Sequence, residues 1–100
     1  MPYMDTDLQN LVDQSLVEFE ADQVLVIDDD AIIGNLIRKF LERECYQVEI
    51  AVEGNVGFKM AEKNIPQIII LDVRINGGKG WDIFKRLKEH PKLKDIPVVA

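Results

Sequence analysis

The sequence predicts an α/β fold: a single open parallel β-sheet with strand order 2-1-3-4, covered by helices. Three observations predict it. Val24-Leu25-Val26-Ile27 and Ile68-Ile69-Ile70-Leu71 are uninterrupted apolar runs rich in β-branched residues, the signature of strands buried on both faces in a parallel sheet. Segments of helical periodicity alternate with these runs, as right-handed crossovers require. Each run ends in acid, at Asp28-Asp29-Asp30 and at Asp72, and open α/β sheets gather their ligand chemistry at the carboxyl ends of strands.

The elements follow in order. Thr6-Asp7-Leu8-Gln9 matches a capping box, and Leu8, Leu11, Val12, Leu16 and Phe19 keep helical spacing. An acidic amphipathic helix is therefore predicted over about residues 7–20, its acids forming a solvated face. Strand one covers about Gln23–Asp28. Ile32, Ile33, Leu36, Ile37, Phe40 and Leu41 then mark the inward face of a helix over about 31–44. Tyr46–Ala51 alternates only in part, which suits a half-exposed strand two at a sheet edge. Val56, Met60 and Ala61 indicate a helix over about 54–63, weakened by Gly54 and Gly57. Strand three lies within Gln67–Val73, set off by Ile65-Pro66 before it and by Asn76-Gly77-Gly78-Lys79-Gly80 after it. Trp81–Glu89 reads as a helix with Ile83, Phe84 and Leu87 inward, stopped at His90-Pro91, and Ile96–Ala100 begins strand four. The more polar strand two belongs outside strand one. The switch point of the sheet then falls between strands one and three, beside Asp28, Asp29 and Asp72.

Composition sets the outer bounds. One hundred residues, 47% hydrophobic and 30% charged, make one small globular domain. No apolar run reaches the length of a membrane span, and the N-terminus lacks a signal pattern, so a cytoplasmic setting is expected, with no membrane partner. A single cysteine, Cys45, excludes an internal disulfide, and no Cys/His cluster suggests zinc. Residues 1–22 hold six acids and no Lys or Arg, whereas the remainder holds twelve of each sign. The net charge of −6 thus resides in an N-terminal acidic segment, distinct from a domain over 23–100, and nothing favours nucleic-acid binding.

The acids carry the chemistry. Neighbouring parallel strands bring three or four carboxylates to one sheet edge, where they repel one another and resist ionisation unless a hard cation sits between them. Mg²⁺ suits such a site, being small, oxygen-seeking and content with two carboxylates plus waters. Asp30 alone has a simpler role as the N-cap ahead of Ala31. His90 reads as a helix C-terminal residue favoured by the dipole, and Cys45 as a half-buried structural residue with no neighbour to activate a thiolate.

Together, Val24–Asp30, Ile68–Val73, Gly80-Trp81 and Asp95-Ile96-Pro97-Val98-Val99-Ala100 resemble the receiver domain of two-component response regulators, from about residue 23 onwards. The resemblance implies a flavodoxin-like fold and a phosphorelay switch that is not an enzyme in its own right. It makes Asp72 the phosphoacceptor, with a phosphohistidine of a sensor histidine kinase or phosphotransfer protein as donor. It implies Mg²⁺ held directly by Asp29, largely through water by Asp28, by Asp72, and by the main-chain carbonyl of Arg74.

The chain departs from the family's pattern in several places. Ile75-Asn76 replaces the usual Met-Pro, Lys79 stands where an acid or amide often precedes the glycine, and Cys45 replaces a helix-ending glycine. Arg74 and Lys79 bring positive charge near the site, and the three glycines make the loop more mobile than the usual turn. Ala100 falls just short of the family's switch Ser/Thr. The fifth strand with its phosphate-binding Lys and the last two helices are absent, so a C-terminally truncated receiver is expected, carrying an extra N-terminal helix able to pair in a homodimer. Two other readings stay open. One is a pseudo-receiver that docks partners without phosphorylation, and the other a Mg²⁺-dependent phosphohydrolase built on Asp28–Asp30. An aspartate-nucleophile phosphatase would want a second Asp two residues after its nucleophile, and position 74 is Arg.

Overall fold

The computed structural model describes residues 22–100; the helix expected over residues 7–20 lies outside them. Strands β1 (Gln23–Ile27), β2 (Gln47–Ala51), β3 (Ile68–Leu71) and β4 (Val98–Val99) form one sheet in the order β2-β1-β3-β4, all pairs parallel. Helices α1 (Ala31–Arg43), α2 (Gly54–Asn64) and α3 (Gly80–Glu89) alternate with them, and a short helical turn at Ile75–Gly78 precedes α3. The flavodoxin-like architecture and its strand order are those the sequence predicts.

Apolar residues on both sides of β1 and β3 divide the core in two. Leu25, Ile27, Ile69 and Leu71 join Phe58 and Ala61 of α2, Ile83 and Leu87 of α3, and Leu93 and Ile96 in the larger cluster. Val24 and Val26 turn the other way with Val48, against Ile37 and Leu41 of α1. Full burial of each Ile or Leu contributes about 1.5–3 kcal/mol, so the larger cluster dominates stability.

Three helical glycines make these contacts possible. A Cβ on Gly57 would stand 2.6 Å from Ile27 Cδ1, and one on Gly54 2.8 Å from Ile83 Cγ1. The two residues expected only to weaken α2 are what let it approach its neighbours. Gly34 does the same for α1 over Ile50, and this corrects the reading of that helix. Gly34 is its buried residue, with Ile37 and Leu41 partly buried beside it, while Ile32, Ile33, Leu36 and Phe40 are 73%, 43%, 60% and 66% exposed. The expected apolar face is wider than the surface the sheet offers it. Val56 likewise points outward, leaving Phe58 and Ala61 to anchor α2. The fourth strand is shorter than expected, Val98–Val99: Ile96 turns into the core, and the first bond to β3 is from the Ile69 N–H to the Pro97 carbonyl at 3.0 Å.

Helices α2 and α3 are tied together at their exposed rims. The Arg86 guanidinium lies 4.2 Å from the Phe58 ring centre and donates to Asn55 Oδ1 at 2.8 Å. His90 packs edge-on against the same ring. Its Nδ1 accepts the Lys92 N–H at 3.0 Å, which leaves Nε2, 3.2 Å from Glu62 Oε2, to carry the proton. The histidine ends its helix as expected and fastens it to α2 as well.

Helix α1 ends in a Schellman motif: the Cys45 N–H bonds the Glu42 carbonyl and the Tyr46 N–H the Leu41 carbonyl, each at 3.1 Å. Cys45 takes the left-handed position, with φ 69°, and its side chain is exposed rather than half-buried. A β-carbon gains nothing there. Cys45→Gly is therefore expected to stabilise the domain by about 1 kcal/mol, raising the melting temperature by about 4–8 °C. A fall in thermal denaturation would mean that the thiol makes a useful contact.

Candidate functional site

Register sets the site. Ile27 pairs with Leu71, so Asp28 and Asp72 are each the first residue past the end of adjacent strands. The ladder continues through them: the Asp72 N–H donates to the Ile27 carbonyl and the Asp28 N–H to the Ala51 carbonyl, both at 2.9 Å. Asp29 follows on the β1 side. Carboxylate oxygens of Asp28, Asp29 and Asp72 all lie within 4.8 Å of one another, which brings together the three acids singled out in the sequence. Asp30 stands apart as the N-cap of α1, its Oδ1 accepting from Ile32 N at 2.9 Å and Ile33 N at 3.3 Å.

Burial governs the electrostatics of the cluster at Asp28. Asp28 is 8% exposed. Burial raises its carboxyl above the ordinary value of 3.8, an N–H bond from Asp30 opposes the rise, and the charges of Asp72, Asp29 and Asp30 add to it. An all-oxygen donor set of three converging carboxylates fits a hard divalent cation. The fourth expected ligand is differently engaged, since the Arg74 carbonyl accepts N–H groups from Gly77 at 3.1 Å and Gly78 at 3.2 Å.

Arg74 attends Asp72 closely. Its N–H donates to Asp72 Oδ1 at 2.9 Å, and its Nε lies 3.7 Å from the same oxygen on a side chain 91% exposed. An ion pair so open to water contributes roughly 0–1 kcal/mol. Lys79 is exposed and lines a shallow cleft beside the site with Asn55, Asn76, Asp82 and Arg86.

Two features escape a reading of residue types. The Asn76 N–H approaches Asp29 Oδ2 at 3.4 Å, a main-chain contact with no side-chain signature. Gly80 is wedged against the phosphoacceptor candidate's own backbone: a Cβ there would lie 2.5 Å from the Asp72 carbonyl oxygen and the Val73 Cα. The Gly80-Trp81 pair is the one sequence signal of that contact.

Comparison with known proteins shows the family and the fold. The family model of the response regulator receiver domain matches residues 24–100. The response regulator PleD of Caulobacter vibrioides is 36% identical over 77 residues, which is 77% of this chain and 17% of that protein. Among solved structures, a putative response regulator from Chloroflexus aurantiacus superposes with a TM-score of 0.75 at 29% identity, covering 79% of this chain and 65% of that one. The chemotaxis response regulator CheY4 of Vibrio cholerae gives 0.74 at 27%, covering 78% and 65%. The chain thus spans less than two thirds of the length of each of these relatives. Among the described residues, no helix is long and apolar enough to cross a membrane.

The burial of Asp28 has a measurable sign. With its carboxyl raised in the fold, the folded state binds more protons than the unfolded state from pH 3.8 upward. Its contribution to stability is therefore greatest below that pH and is lost as pH rises through the raised value. In chelator-treated protein, melting temperatures across this range are expected to fall more steeply for the wild type than for Asp28→Asn, which keeps the acceptor for the Asp30 N–H. Parallel profiles would place the burden on another residue.

Proposed function

This chain belongs to the response regulator receiver domain family of two-component systems, and on that premise we propose that Asp72 is its phosphoacceptor. Receivers bind Mg²⁺ at an acidic cluster and work with histidine kinases or phosphotransfer proteins; here we assign the cluster to Asp28, Asp29 and Asp72 and the donor to a phosphohistidine. The observation that carries the assignment is the position of Asp72, one residue past β3 and level with Asp28 past β1. Its Oδ1 is held by the Arg74 N–H, and among the described residues no donor engages Oδ2.

The chemistry follows from that placement. Asp72 Oδ2 attacks the phosphorus in line, an O–P bond forms as the donor's N–P bond breaks, and the departing imidazole nitrogen takes up a proton. The Arg74 N–H fixes the carboxylate plane so that one oxygen faces outward. Asp28, Asp29 and Asp72 would hold the Mg²⁺ ion, which when bound would supply neutralisation of the charge on the phosphoryl oxygens.

The N-terminal segment adds a second part to the proposal. Leu8, Leu11, Leu16 and Phe19, which lie outside the described residues, keep helical spacing within an acidic segment, and the smaller core, with Ile68 and Ile70 only partly buried, offers a surface for such a stripe. The stripe either covers that face or pairs with the same stripe of another copy. Leu11→Asp combined with Leu16→Asp separates the two: loss of folding marks the first, and a folded monomer from a dimeric parent the second. Unchanged stability and unchanged mass by light scattering would dismiss both.

Acetyl phosphate with Mg²⁺ tests the central assignment. Intact-mass analysis is expected to find one phosphoryl group per chain, accumulating slowly and absent from Asp72→Asn. Asp29→Asn is expected to lower cation affinity by about tenfold or more. Steady release of phosphate would mark a hydrolase instead, and cation binding without labelling a pseudo-receiver.

A further inference from the structure

The loop after β3 departs from the family's sequence pattern at Ile75-Asn76 and Lys79, and its hydrogen bonds bear on the site just assigned. The main-chain carbonyl of Arg74, which the family resemblance gives to the cation, has two lone pairs. Both accept from this chain: Gly77 N–H at 3.1 Å and Gly78 N–H at 3.2 Å. Asn76 N–H reaches Asp29 Oδ2 at 3.4 Å, and Arg74 N–H occupies Asp72 Oδ1 at 2.9 Å. The loop's own donors thus sit on three of the groups that the cation would use.

Holding the loop there demands unusual backbone. Asn76, Gly77 and Gly78 have φ of 51°, 74° and 103°, three consecutive residues in the region that side chains disfavour. The segment is anchored at both ends. Ile75 is fully buried and donates its N–H to the Asp72 carbonyl at 3.1 Å, and Gly80 is wedged against Val73. Any rearrangement is therefore confined to residues 76–79.

We propose that this loop is a latch on the cation site. In the latched state the Gly77 and Gly78 N–H groups occupy the Arg74 carbonyl. The Ile75 N–H bond fixes the peptide that carries this carbonyl, so the carbonyl becomes available to a cation when Gly77 and Gly78 swing away from it, and binding and unlatching are one event. The apparent affinity is the intrinsic affinity multiplied by the unlatched fraction. Sequence changes in residues 76–78 therefore set how readily this receiver is charged, without touching an acidic ligand. The inference rests on the assignment of Asp28, Asp29 and Asp72 as the cation site.

Gly77 offers a clean test, because a Cβ there would meet nothing within 4 Å. Gly77→Ala changes the cost of a left-handed φ and nothing else in the packing. A Mg²⁺ titration of the full chain, followed by amide NMR, is run on the wild type and the variant. In the wild type, the Gly77 and Gly78 amides are expected to shift and lose exchange protection in step with saturation of Asp28, Asp29 and Asp72. In Gly77→Ala the apparent Kd is expected to fall about tenfold. Glycine amides that stay protected while the acids saturate overturn the latch, as does an affinity in Gly77→Ala that is unchanged or weaker. Should the alanine variant misfold, the wild-type amides alone decide. A response confined to the variant means a latch strong enough to hide the site. No response in either protein overturns the cation assignment, and the latch falls with it.

Discussion

Parallel pairing of β1 with β3, carried past the strand ends by the bond from the Asp72 N–H to the Ile27 carbonyl, holds carboxylates side by side against their mutual repulsion. Neither acid would settle there from its own preference. The core offsets the repulsion: Ile27, Ile69 and Leu71, each 0–1% exposed, fix the strands in register, and one slipped residue would turn every apolar side chain to the wrong face. A pairing fixed by hydrophobic burial thus sets the spacing of an electrostatic site. The crowded acids are a local cost carried by a fold whose stability lies elsewhere.

Much of this was legible in the residues because the strongest signals were long and regular. Two buried apolar runs ending in acid gave the central strands, and the more polar Gln47–Ala51 gave the edge. Register and chemistry then placed Asp28, Asp29 and Asp72 together. The weaker readings failed where periodicity alone had to decide depth. Ile32, Leu36 and Phe40 obey helical spacing as well as Ile37 and Leu41 do, yet only the latter two meet the sheet. Which part of a broad apolar stripe is buried depends on what lies opposite, and here Gly34 sets the line of closest approach.

Backbone roles were the least legible. A glycine in a sequence says only that something unusual is tolerated. Gly54 and Gly57 looked like helix weakeners and prove to be points of close packing, whereas Gly77 and Gly78 have open space around them and are needed for their positive φ. Residue type cannot separate these cases, because both rest on the absence of a β-carbon. The Arg74 carbonyl poses the same difficulty: its partners are main-chain groups that every residue possesses, so its engagement shows only in the folded geometry.

The seat of Gly80 against Asp72 and Val73 carries one more consequence. With backbone touching backbone and no side chain between them to absorb movement, a displacement of the Asp72 main chain must push on the first turn of α3. The next residue is Trp81, the chain's single tryptophan, 57% exposed and stacked edge-on to Phe84. The domain thus carries an intrinsic fluorophore, mechanically geared to its central carboxylate and poised at the water boundary, where small shifts in solvation change emission.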